Sequence, residues 1–118
     1  MTCENWSNLW LNEGFTVFCE RKVSEEQYGT NFAKVEALLG DASMKDDMES
    51  FGYDNSYSAL YPVLNGDSPD NSFSEVPYEK GYQFLVFLES LIGSDNIQTF
   101  LQSYIEANKV ESIDWTQL

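Results

Sequence analysis

The chain has 118 residues, with six Lys and Arg against twenty Asp and Glu and no histidine, so its formal charge at pH 7 is −14. Six scattered cations cannot neutralise a run of phosphates, which argues against a nucleic-acid partner. Hydrophobic residues at 42% and aromatics at 15% exclude an acidic disordered tail and require a packed core.

In chain order, Ser7 to about Tyr28 reads as a first helix, with Leu9, Trp10, Leu11, Phe15, Val17, Phe18 and Val23 on nearly every face. A helix that is apolar all round is a buried one. Ser7 is its expected N-cap, Gly29 its stop, and Thr30 and Asn31 offer the next cap. A second helix starts near Phe32 with the stripe Phe32, Val35, Leu38 and Leu39, and beyond Gly40 a separate amphipathic stretch runs from Ser43 to Phe51. Both are expected to face solvent on one side. From Gly52 to Val76 the periodicity vanishes, and Asn65 to Asn71 is dense in turn residues. A loop of that length inside a compact domain is read as functional. Pro77 opens the strongest helix of the chain, which runs to Ile92 before a Gly93 stop. Ser94 is expected to cap a fourth helix bearing Ile97, Phe100, Leu101 and Tyr104. Asp114-x-x-Gln117 has the form of a capping box for a fifth, which needs more residues than Leu118 leaves, so the chain reads as cut. The direct reading is all-α, without internal repeats.

The length suits one domain or a piece of a larger one. No apolar run approaches the roughly eighteen residues of a membrane span, and Met1 to Trp6 lacks the features of a secretory signal. Cys3 and Cys19 form neither a CxxC pair nor a disulfide framework, so reduced thiols in a cytosolic setting are expected.

Two places carry chemistry. Glu13 shares a helical stripe with Trp6, Trp10 and Val17, and a carboxylate on an apolar face must be protonated, paired or metal-bound. Pairing with a core arginine or a helix N-terminus stays open beside the metal. Glu20, seven residues on, is either a solvated carboxylate near Arg21 and Lys22 or a neighbour of a metal site. The second place is Pro77-Tyr78-Glu79-Lys80-Gly81. A glycine inside a helix costs about 1 kcal/mol relative to alanine, so something is expected to approach the backbone closely at Gly81. A phenol at a helix start, protonated at neutral pH, suits donation to a developing oxyanion. An amphipathic tyrosine at the core edge is the alternative for Tyr78.

Trp10-Leu11-Asn12-Glu13-Gly14-Phe15-Thr16, with Glu20-Arg21, resembles the third-ligand segment of the M1 family of zinc aminopeptidases. Pro77-Tyr78-Glu79-Lys80-Gly81 resembles the catalytic-tyrosine segment of the same family. Pro77, the run from Tyr82 to Glu89 and Ile92-Gly93 are most similar to the leukotriene A(4) hydrolase and aminopeptidase B branch. The likeness extends over nearly the whole chain. It implies the helical lobe of a thermolysin-like (gluzincin) metallopeptidase catalytic domain, a zinc cofactor, peptide substrates trimmed at the N-terminus and a cytoplasmic location. Whether epoxide hydrolysis accompanies the peptidase activity stays open.

Under the resemblance, Glu13 is the third zinc ligand, Glu20 supports it from behind, and Tyr78 stabilises the tetrahedral oxyanion. Asp70 matches the second aspartate of a family Asp-Pro-Asp stretch that shapes the substrate pocket, although Ser68 departs from that pattern. Phe73 places an aromatic in the pocket region. In the family, HExxH precedes the glutamate ligand by about eighteen intervening residues. Here only twelve residues precede Glu13 and there is no histidine, so two zinc ligands and the general-base glutamate are absent. The 118 residues alone are expected to be inactive, their missing partner being the upstream HExxH segment of a parent chain. A reading from another class, a non-catalytic acidic helical interaction module derived from such an enzyme, stands beside it. Calcium binding is disfavoured because no DxDxDG-type loop is present. With its first helix apolar all round, the isolated chain is expected to expose a hydrophobic patch and to associate.

Overall fold

The computed structural model describes residues 1–118. Four helices make the fold: α1 (Leu9–Tyr28), α2 (Thr30–Phe51), α3 (Val76–Ile92) and α4 (Ser94–Asn108). The only strands are two residues each, β1 (Thr2–Cys3) and β2 (Ser112–Ile113), paired in parallel so that the two ends of the chain meet. Buried Asn8 adds a second tie, its Oδ1 accepting from the Trp115 amide at 3.0 Å. The class is therefore all-α. The strand pair is too short to leave a period-two signature in the sequence.

α1 lies against α3, and Trp10, Leu11, Phe15 and Phe18 form the core with Leu85. Ile97 and Tyr104 of α4 and Ile113 close it. Tyr104 stacks on Phe15 with ring centroids 5.5 Å apart, and Trp10 meets Phe84 edge-on at 5.6 Å. α1 is not buried all round, because its partners sit on one side only. Thr16, Cys19, Glu20 and Val23 are exposed along its outer face.

The two helices touch backbone to backbone where each has a glycine. A Cβ built on Gly14 would lie 2.6 Å from the Gly81 Cα, and one on Gly81 would lie 2.8 Å from the Gly14 Cα. The close approach expected at Gly81 is made by α1.

α2 departs from the sequence reading twice. It is one unbroken helix through Gly40 instead of two stretches. A Cβ at Gly40 would collide with the side chains of Glu79 and Arg21, so this glycine makes room for a buried pair and does not end the helix. The apolar stripe also faces the other way. Phe32, Val35, Leu38 and Leu39 are exposed, Leu38 and Leu39 at 69% and 68%, while Ala33, Ala37 and Gly40 sit on the less exposed side and Met44 is buried. Small side chains let α2 come close to the α1/α3 pair. A stripe of large exposed apolar side chains promotes association. The isolated chain is expected to run as oligomers in light-scattering chromatography, and Leu38→Asp with Leu39→Asp to return it to a monomer. Oligomers unchanged by that pair would place the contact elsewhere.

The caps also differ. Ser7 lies in a 3-10 turn (Trp6–Asn8) and its Oγ donates to the Pro62 carbonyl at 2.6 Å instead of capping α1. α4 starts at Ser94 itself, with Gly93 in the flanking position and no side-chain cap. The Asp114 capping box forms, but on a 3-10 turn, Trp115–Gln117.

The segment between α2 and α3 is irregular but fastened. Asn65 and Gly66 both have left-handed φ (52° and 91°), closing a tight turn in which the Asp67 amide donates to the Leu64 carbonyl at 2.9 Å. Besides Ser7, Lys80 Nζ reaches the Ser58 carbonyl at 2.6 Å, Trp6 Nε1 reaches Ser72 Oγ at 2.8 Å, and Asp47 accepts from the Glu75 amide at 2.7 Å. The loop is held to the start of α1, the end of α2 and the first turn of α3.

Candidate active site

Glu13 immediately precedes Gly14 on α1, and Tyr78 lies three residues, one helical turn, before Gly81 on α3. Both residues thus lie within one helical turn of the glycine crossing. Their proximity is felt electrostatically. Burial pushes the Tyr78 phenol above its ordinary value, and the carboxylates of Glu13 and Glu75 push it further. The neutral, hydrogen-donating phenol is thus favoured. Cys3 is raised likewise, chiefly by burial and also by Glu13, against the pull of a backbone hydrogen bond. Glu13 consequently stands near both β1 and the first turn of α3.

No ion pair includes Glu13; the four in the chain join other residues. The core arginine is Arg21, and it belongs to Glu79: Nη1 donates to Oε2 at 2.8 Å and Nη2 to Oε1. That removes the pairing of Glu13 with a core arginine. Next to it, Asn12 Oδ1 is buried without a hydrogen-bond partner. A half-buried carboxylate without an internal cation suits one arm of a metal site. The chain has no histidine and no group of three or more metal-ligating side chains.

Glu13 and Glu20 line one cleft of about 650 Å³ on the outer side of α1, together with Asn12, Thr16 and Cys19. Glu20 is exposed, and neither neighbouring cation pairs with it: Arg21 turns inward, and Lys22 Nζ lies 2.7 Å from Glu89 Oε1. Tyr78 and Asp70 are not walls of this cleft. Asp70 is exposed in a 3-10 turn, Pro69–Ser72, that hangs from Trp6 through Ser72 Oγ, itself a donor to the Pro69 carbonyl at 3.0 Å. Exposed Phe73 follows the turn, its ring 6.3 Å from that of Trp6. The structure thus associates Glu13 with Tyr78 and Glu13 with Glu20, and keeps Asp70 on a neighbouring, fastened turn.

The model of the peptidase family M1 domain matches residues 1–118, the whole chain. The chain belongs to peptidase family M1. Leucine aminopeptidase 2 of Aspergillus oryzae is 39% identical to this M1 chain over 114 residues, and that of Emericella nidulans 36%. The yeast LTA4 hydrolase solved in complex with bestatin superposes with a TM-score of 0.88 at 32% identity over 95% of this chain. Native leukotriene A4 hydrolase from Saccharomyces cerevisiae gives 0.87 at 33% identity. The M1 chain described here covers 97% of itself in the fungal matches but only 18% of their length, and likewise 18% of the yeast chains.

Sequence reasoning missed Arg21, Glu79 and Gly40 as a unit. Two signals were available: Arg21 continues the buried positions Gly14 and Phe18 at helical spacing, and Glu79 sits inside the tyrosine motif. The half-buried Cys3 thiol of this M1 chain is raised above its ordinary value chiefly by burial. Only the thiolate reacts. Cys3 is therefore expected to alkylate more slowly than free cysteine at pH 7, as read by mass spectrometry after iodoacetamide, and faster labelling would contradict its burial.

Proposed function

We propose that these residues form one side of the active site of a zinc aminopeptidase that removes N-terminal residues from peptides. The observation that carries the proposal is the glycine crossing, which holds a carboxylate without an internal cation, Glu13, near a phenol kept protonated, Tyr78. The printed names of the fungal relatives, leucine aminopeptidases, support the same reaction.

In this reading Glu13 is one of three protein ligands to zinc, the other two lying outside the 118 residues. When bound, the ion supplies Lewis-acid polarisation of the scissile carbonyl and lowers the pKa of water. Tyr78 donates its O–H to the carbonyl oxygen as negative charge develops there, an interaction stronger in the transition state than in the ground state. Glu20, on the cleft wall with Glu13, adds negative charge that favours a cation there. Asp70 and Phe73, on a turn fixed by Trp6, border the approach of the peptide. No helix is long and apolar enough to cross a membrane, and the proposed location is cytoplasmic.

The test uses the full-length protein that contains this segment. Hydrolysis of an unblocked amino-acid p-nitroanilide is expected, lost on treatment with a zinc chelator and restored by zinc. Turnover that survives complete metal removal would reject the proposal. Absence of both metal and turnover would favour an acidic interaction module with the exposed α2 stripe as its contact face.

A further inference from the structure

We propose that Arg21, Glu79 and Gly40 are positioning residues that fix the catalytic phenol against the metal-binding carboxylate; this rests on the aminopeptidase reading above. Glu79 follows Tyr78 directly on α3, and Arg21 lies eight residues, a little over two turns, beyond Glu13 on α1. The two form a bidentate fork, with Arg21 9% and Glu79 4% exposed. A planar guanidinium gripping both oxygens of a carboxylate fixes direction as well as distance. The fork therefore locks the rotation of the first turn of α3 relative to α1, while Gly14 and Gly81 set only how close the two axes come.

α2 completes the cluster. Arg21 Nη2 also donates to the Glu36 carbonyl at 3.3 Å, and the missing Cβ of Gly40 provides the space in which the fork lies. The ring of Tyr82, one turn after Tyr78, lies 4.2 Å from the guanidinium carbon. Three helices are thus referenced to one charged pair, one member of which directly follows Tyr78 in the chain. A buried pair is weak evidence for stability, since its desolvation offsets its attraction. Geometry is the role left for it. A reacting group misplaced by about 1 Å can lose about a hundredfold in rate.

The test is a double-mutant cycle in the full-length enzyme. Glu79→Asp keeps the charge but shortens the arm by one methylene, and Gly40→Ala leaves both charges and presses on the fork from α2. Each is expected to lower kcat by about tenfold or more, with KM changed less than about threefold, zinc content unchanged and the melting temperature within a few degrees of the parent. In a Tyr78→Phe background the same substitutions are expected to change kcat by less than about twofold, because the group they position has gone. Equal losses in both backgrounds, or no loss in either, would overturn the positioning role. Should one variant fail to fold, the other completes the cycle. A parent enzyme without zinc or turnover would refute the aminopeptidase reading, and this inference with it. A parent that turns over while the cycle is additive refutes this inference alone.

Discussion

Gly14→Ala is expected to destabilise the chain by about 2–3 kcal/mol, the cost of forcing one methyl into a packed contact. The atoms it meets are backbone on both sides, so no side chain can rotate away. α1 and α3 must separate, and the core built from Trp10, Phe15, Phe18 and Leu85 loosens with them. A melting temperature lower by roughly 10 °C is the expected reading. Gly29→Ala provides the contrast. Nothing lies within 4 Å of the position its Cβ would take, and only its φ of +91° is strained, so a loss of about 1 kcal/mol is expected there. Gly14→Ala melting like the parent would mean that the crossing is looser than the backbone distances state.

Tyr78→Phe carries the other large effect. Removing one preorganised oxyanion donor costs about 10²–10³ in kcat, and because the hydroxyl acts only as charge develops, KM and zinc content are expected to change little. The pH dependence follows from the same surroundings. Burial, then Glu13 and Glu75, raise the phenol above its ordinary value. Donation needs the protonated form, present below the folded-state pKa and lost as pH rises through it. In the metal-free 118-residue chain the Tyr78 phenol is therefore expected to ionise above the usual phenol range, read as the difference between the ultraviolet pH titrations of the chain and of Tyr78→Phe. A full kcat in that variant would assign the oxyanion to another group.

Much of this site was legible in the residues because local chemistry marks it. A glycine inside a helix is locally unfavourable, and Gly81 pointed to a close approach that the structure places at the α1/α3 crossing. The loop was legible from its turn residues, and Asn65-Gly66 adopts the left-handed turn they favour. What was not legible depends on pairing between distant segments. Gly40 reads locally as a helix stop, yet serves a fork whose partners are Arg21 and Glu79. The stripe of α2 reads as a buried face, yet small residues give the closer packing and the large ones face outward. Ser7 reads as a cap, yet its hydroxyl serves Pro62, 55 residues on. Periodicity reports that a face exists and leaves open which partner takes it.

The central claim is that Glu13 and Tyr78 divide the site between metal binding and oxyanion stabilisation, and zinc content of the two variants tests it most directly. In the full-length protein, about one zinc per chain is expected for the parent and for Tyr78→Phe, and little for Glu13→Ala, measured by atomic emission after dialysis. Full zinc retained by Glu13→Ala would contradict the claim, because the carboxylate would then have no metal to hold.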